Sequence, residues 1–207
     1  MSLEDLKEKV KWLREVSGNK PIILKLGAGD VERDVEIAVK AGVDAIAIDG
    51  KEGATGAAPA ALLDNVGIPT IAALVRARKK LDEMDAKQTL IISGGLNHGG
   101  DVAKALALGA DAVYMATAML VAMGCTQCGR CYTGKCPVGI ATQDPKLRKR
   151  LNVEEAARKV ANFIGACTEE VKLIAAACGY DNVHKLSKSD LRALNETIAK
   201  VTGVELV

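Results

Sequence analysis

Apolar positions recur along this chain with two different periods. Leu3, Leu6, Val10 and Leu13 stand three to four apart, which predicts a helix over about residues 3–16 with one face against a core. Ser2, followed three positions later by Asp5, has the pattern of a capping box at the start of that helix. Short apolar runs bounded by Gly, Pro or Asp predict strands at Pro21–Leu26, Ala45–Asp49, Pro69–Ala72, Thr89–Ser93 and Ala112–Ala116. Each is expected to be followed by a helix, and four of these helices can be placed. One helix is capped by Asp30 and closes at Gly42, and the others lie around Arg76–Met84, Asp101–Leu108 and Ala118–Met123. Strands starting at intervals of roughly 20 to 24 residues, interleaved with helices, are the βα repeat of a parallel sheet with both faces covered.

The pattern changes after residue 124. Residues 125–143 are rich in Cys, Gly and Thr and read as irregular. Asp144-Pro145 opens a short helix with proline at its first position. Two further helices are expected, one carrying Val153, Ala156, Ala157, Val160 and Ile164 and the other Val171, Ile174, Ala175 and Cys178. A last helix is expected to begin near Ser187 as its cap. The chain therefore divides into a βα region at 1–124, a cysteine-rich loop at 125–143 and a helical extension at 144–207.

A doubly wound sheet and a (β/α) barrel both repeat βα units. No G-x-G-x-x-G follows the first strand, so the dinucleotide fingerprint is absent. Instead Ser93-Gly94-Gly95 follows one late strand and Ala116-Thr117 closes the next. Two adjacent late strand ends with backbone N–H groups free to face one phosphate are the usual phosphate site of a TIM barrel. A whole barrel has eight βα units in about 250 residues. Here about five units are expected, so the fold class is α/β: a partial TIM barrel with a cysteine-rich loop and C-terminal helices. Such a piece exposes two sheet edges and much of the barrel interior unless a missing barrel half or a second copy covers them.

Composition narrows the function classes. A net charge of +2 and an aromatic content of 2% argue against nucleic-acid partners. No apolar stretch is long enough to span a membrane, and the charged start has no signal-peptide core, so a cytoplasmic location is expected. Six cysteines in a reducing compartment point to metal or redox chemistry rather than disulfides. Four of them, Cys125, Cys128, Cys131 and Cys136, crowd one irregular loop; they suit an iron–sulfur cluster or a tetrahedral zinc. Cys167 and Cys178 sit on apolar helix faces and read as core residues.

Other positions stand out singly. Lys25 interrupts an apolar strand, where a cation is expensive without a partner unless its stem snorkels from an edge. Asp49 ends a strand on the side where barrel sites form. In the loop that follows, Gly53 and Gly56 let the backbone pass close to a ligand and Thr55 offers a hydroxyl donor. His98 reads as a surface residue. The basic stretch Lys146–Arg150 reads as a solvated face, or as a docking patch for an acidic electron donor.

Four segments resemble a known family. They are ILKLGAG (Ile23–Gly29), IDGKEGATGAAP (Ile48–Pro59), the stretch from ISGGL to Cys125 (Ile92–Cys125), and CTQCGRCYTGKCPVGIATQDPKLRKRL (Cys125–Leu151). The last is the most specific. Together with YDNVHKLSKSDL (Tyr180–Leu191), the sequence resembles the C-terminal half of the FMN-binding synthase domain of glutamate synthase, in its archaeal type. The resemblance implies a TIM barrel with FMN at its mouth and a [3Fe–4S] cluster held by Cys125, Cys131 and Cys136. Cys128 departs from the family pattern and would complete a [4Fe–4S] set. It also implies Lys25 against the flavin, a phosphate site at Ser93, Gly94, Gly95, Ala116 and Thr117, and contacts from Asp49, Gly53, Thr55 and Gly56. Ser93 stands where the family often has Asp.

The implied chemistry is electron transfer from cluster to FMN and hydride delivery to 2-iminoglutarate, formed from 2-oxoglutarate and ammonia, to give glutamate. Implied partners are ferredoxin or a reductase subunit as donor and a glutaminase domain or subunit supplying ammonia. The sequence shows no glutaminase segment and no N-terminal Met-Cys. Two alternatives stay open at this point. One is a non-catalytic fragment or split subunit that binds cluster and partner. The other is an IMP-dehydrogenase-like barrel with a single nucleophilic cysteine.

Overall fold

The computed structural model describes residues 2–53 and 58–207. Helix α1 (Leu3–Val16) begins at the expected capping box: Asp5 N–H donates to Ser2 Oγ and Ser2 N–H to Asp5 Oδ2. Strand β1 (Ile23–Gly27) leads to α2 (Val31–Ala41), closed by Gly42 at φ 78°. Asp30 occupies the N-cap of α2, but its side chain makes no capping bond. Then come β2 (Ala45–Asp49), a single 3₁₀ turn (Lys51–Gly53) and a short α3 (Ala60–Asn65). After them follow α4 (Thr70–Glu83), β3 (Thr89–Ser93), α5 (Gly99–Ala107), β4 (Ala112–Tyr114) and α6 (Thr117–Ala122).

The described residues form four strands, where five were expected. Pro69–Ala72 is the start of α4 and not a strand. The local run is too short to separate the two periods, but Thr70, Ala73, Leu74, Ala77 and Leu81 are buried at helical spacing along the whole of α4. The sheet is parallel throughout, in the order β1-β2-β3-β4.

Its register sorts the side chains onto two unlike faces. Leu24, Ile46 and Leu90 align in one row, and Leu26, Ile48, Ile92 and Val113 in another. These rows pack with α1, α2, α4 and α5 into one core, in which Ile46, Ile48, Leu90 and Ile92 are at most 1% exposed. The opposite face carries Ile23, Ala45 and Thr89, then Lys25, Ala47, Ile91 and Ala112, then Gly27, Asp49, Ser93 and Tyr114. Its small apolar cluster of Ala45, Ala47 and Ile91 packs against Ala112. No helix residue lines that cluster among the described residues, although Ala45, Ala47 and Ile91 are themselves at most 7% exposed. Sequential parallel strands with every crossover on one side wind in one sense, as in a barrel; a doubly wound sheet reverses its order and covers both faces. The fold is mixed α/β and consistent with part of a barrel.

The C-terminal third differs most from expectation. After α7 (Pro145–Arg148), capped by Asp144, a single α8 (Val153–Ala177) replaces the two helices expected over 153–178. Gly165 sits inside it, and one interior glycine costs only about 1 kcal/mol, too little to break a long helix. Cys167 is buried in α8, but Cys178 lies just past its end and is exposed, so it is not a core residue. Ser187 and Asp190 do form a capping box, but on a 3₁₀ turn (Lys188–Asp190). The last helix, α9 (Glu196–Thr202), starts later, where Asn195 Oδ1 accepts from Ile198 N–H.

Candidate functional site

The polar residues of this second face gather at the C-terminal ends of the strands. Gly27, Asp49, Ser93 and Tyr114 are register partners across all four strands. Lys25 Nζ reaches from β1 to within 2.7 Å of Asp49 Oδ2, and Ser93 Oγ donates to Asp49 Oδ1 at 2.5 Å. Both carboxylate oxygens are therefore engaged, and the lysine interrupting the apolar strand has its partner. Its side chain is 57% exposed, so the pair contributes roughly 0.2–1 kcal/mol, as for other solvated pairs. A Cβ on Gly53 would collide with Asp49 Oδ1, so a glycine stands there to let the chain pass the carboxylate. Thr55 and Gly56 lie outside the described residues.

The neighbouring strand ends carry the expected anion-binding features. Gly94 and Gly95 follow β3 at φ 116° and 73°, backbone that L side chains rarely adopt. Among the described residues their N–H groups have no protein acceptor. Ala116 is the N-cap of α6 and Thr117 its first residue, and no side chain caps that helix end. Because β3 and β4 are adjacent, both sets of unused donors lie at one end of the sheet.

Sequence reasoning missed the two side chains beneath the glycine pair. Thr70, only 6% exposed, sits with its Oγ1 2.7 Å from Glu52 Oε2 and 2.9 Å from the Gly94 carbonyl oxygen. Its N–H also donates to Glu52 Oε2 at 2.8 Å. Burial raises the Glu52 carboxyl, but the Thr70 hydroxyl and the backbone donors outweigh it and hold the group below its ordinary value. Thr70 was hidden inside a run read as a strand. The one available signal was its place just after Pro69 at a helix start.

The cysteine loop follows α6. Gln127 N–H donates to Cys125 Sγ at 3.4 Å, Cys131 opens a 3₁₀ turn (Cys131–Thr133), Cys128 is exposed and Cys136 is buried. Burial raises the Cys136 thiol, yet the backbone N–H groups of Ala141, Val138, Ile140 and Gly139 directed at its sulfur hold it below the ordinary cysteine value. A thiol held low favours the thiolate, the form that binds metal. Among the described residues, however, no three His, Cys, Asp or Glu side chains stand together as a metal-holding group. The donor chemistry fits a cluster, and the thiols are not gathered.

Lys146, Arg148, Lys149 and Arg150 are exposed, as is His98, the N-cap residue of α5, whose side chain makes no capping bond. That helix end is capped across space by Glu170 of α8, whose Oε2 accepts from Gly99 N–H at 2.7 Å. No helix among the described residues is long and apolar enough to cross a membrane.

Comparison with known proteins bears on this arrangement. A family model described as a conserved region in glutamate synthase matches residues 1–181. An archaeal glutamate synthase (NADPH) of Methanocaldococcus jannaschii is 43% identical across 99% of this chain and 42% of its own length. The corresponding protein of Archaeoglobus fulgidus is 45% identical, with the same shares covered. A glutamate synthase large subunit-like protein of Rhizobium meliloti is 41% identical over 98% of the chain and 50% of its own length. The chain thus spans 42–50% of the length of these relatives. Among solved structures, a flavocytochrome b2 mutant with benzoylformate aligns over 90% of this chain and 37% of its own, with a TM-score of 0.55 at 17% identity, a likeness of fold alone. These matches do not favour the IMP-dehydrogenase-like alternative. With the family region matched over most of its residues and more than 40% identity to relatives along almost its whole length, the chain belongs to the glutamate synthase family.

Proposed function

We propose that this chain supplies the phosphate side of an FMN site and the iron–sulfur loop of a glutamate synthase-type oxidoreductase that reduces 2-iminoglutarate to glutamate. The observation that carries the reading is the meeting of unused backbone donors at Gly94, Gly95 and the start of α6 with the Lys25–Asp49 pair at one end of one sheet. When bound, the two groups supply one-electron transfer at the cluster and hydride transfer at the flavin.

In this reading the amides of Gly94, Gly95 and Thr117 hold the phosphate, with Ser93 and Ala116 shaping the strand ends. Lys25 places a positive charge on the open face, where it favours an anionic reduced flavin, and Ser93 fixes the carboxylate that holds Lys25 in place. Gly53, Thr55 and Gly56 belong to the loop beside the same mouth. Cys125, Cys131 and Cys136 hold a [3Fe–4S] cluster, or a [4Fe–4S] cluster if Cys128 joins them. The partners are 2-oxoglutarate and ammonia as the source of the imine, a glutaminase domain or subunit supplying ammonia, and ferredoxin or a reductase subunit as electron donor.

The open sheet edges and the half-exposed Ile23 favour one addition. Turnover requires further barrel strands, from a missing barrel half or a second copy, and without them the chain binds cofactors but does not reduce substrate. The test is an anaerobic absorption spectrum of the purified chain with FMN present. Flavin and iron–sulfur bands that bleach with dithionite support the reading. A colourless, zinc-loaded protein with no flavin retention refutes it.

A further inference from the structure

We infer that Thr70, anchored by Glu52, is a positioning residue that sets the Gly94–Gly95 peptide for phosphate. This rests on the reading of the strand ends as an FMN phosphate site.

Thr70 Oγ1 stands between two acceptors, Glu52 Oε2 at 2.7 Å and Gly94 O at 2.9 Å. A hydroxyl carries one proton, so this is a shared, three-centre arrangement. Glu52 also takes Thr70 N–H at 2.8 Å, which fixes the threonine backbone as well as its side chain. The Gly94 carbonyl is thereby held towards α4. All described peptide bonds are trans, and across a trans peptide the N–H points opposite to the C=O. Gly95 N–H is therefore turned away from Thr70, and it has no protein acceptor among the described residues.

The packing leaves little room for another arrangement. A Cβ on Gly94 would strike Thr70 Oγ1, and one on Gly95 would come within 2.8 Å of Glu52 Cβ. Both glycines are fitted to this threonine–glutamate support as well as to their own φ values. Neither Thr70 nor Glu52 need touch the ligand. Their effect is exerted through the direction of one amide.

The discriminating experiment compares FMN with riboflavin, which lacks only the phosphate, in titrations of the full chain and its variants. Thr70→Val keeps the shape and removes the hydroxyl. It is expected to weaken FMN binding roughly tenfold while leaving riboflavin binding unchanged, and Thr70→Ser is expected to restore FMN affinity to within about threefold. Equal losses for both ligands, or no loss for FMN, overturn the inference. A wild-type chain that does not prefer FMN over riboflavin overturns the phosphate-site reading beneath it, and the inference with it. Nuclear magnetic resonance of the wild-type chain decides independently of whether the variants fold. The Gly95 amide proton must shift downfield on adding FMN and stay in place with riboflavin; an unmoved Gly95 amide overturns the inference.

Discussion

Lys25 Nζ lies 2.7 Å from Asp49 Oδ2, across two adjacent strands and on the sheet face opposite the helix-packed core. The pair places a cation and its counter-charge together where the flavin ring is proposed to lie, so the two residues should tune that ring in opposite senses. Lys25→Met removes positive charge and is expected to lower the flavin reduction potential. Asp49→Asn leaves the cation uncompensated and is expected to raise it. A change of about 1 kcal/mol corresponds to roughly 20 mV for a two-electron couple. Potentiometric titration of both variants checks this, and shifts of the same sign would contradict it.

The two sheet faces should respond differently to truncation. Ile48, 1% exposed under the helices, is expected to cost about 2–5 kcal/mol on mutation to alanine. Ile23, 48% exposed at the edge of the opposite face, is expected to cost less than about 1 kcal/mol. Urea unfolding of Ile48→Ala and Ile23→Ala measures both. A large cost at Ile23 would mean that the inner face is covered in solution, as by a second copy.

Much of this sheet was legible because its strands obey one local rule. Ala45–Asp49 and Thr89–Ser93 were bounded as the structure has them, and the Ser2–Asp5 box was read correctly. The failures have physical causes. Thr70-Ile71-Ala72 is equally apolar at either period, and only the burial of Ala77 and Leu81 further along identifies a helix. Ser187 showed a true capping signal, which the chain uses on a single 3₁₀ turn. The Thr70–Glu52–Gly94 contact joins residues far apart in sequence, and no local pattern reports such a meeting. The cysteine run was plain from spacing, but the amides facing Cys136 were not.

Cys136→Ser is expected to abolish iron retention, because it removes one of the three thiolates the proposed cluster needs. Exposed Cys128 separates the two cluster types: Cys128→Ser keeps full iron content if three cysteines hold the cluster, and loses about a quarter or more if four do. Iron analysis of each variant after anaerobic reconstitution reads this out. Full iron in Cys136→Ser would contradict the ligand assignment.

Glu52 gives a pH signature. Its carboxyl is held below its ordinary value in the folded chain, so its contribution to stability is present above the ordinary carboxylate range and lost as pH falls through the folded value. The group is largely solvated, which limits the effect to about 1 kcal/mol or less. The melting temperature of the wild type should exceed that of Glu52→Gln at pH 7, and the gap should close below about pH 4.5. A gap that widens in acid would contradict the assigned direction.

In the proposed reading one chain holds both an FMN phosphate and an iron–sulfur cluster. Its most direct test is to measure iron, acid-labile sulfide, zinc and FMN on a single anaerobically reconstituted sample. The account predicts about three or four irons per chain, sulfide in similar amount, and FMN approaching one per chain. Zinc without sulfide, together with no bound FMN, would contradict it.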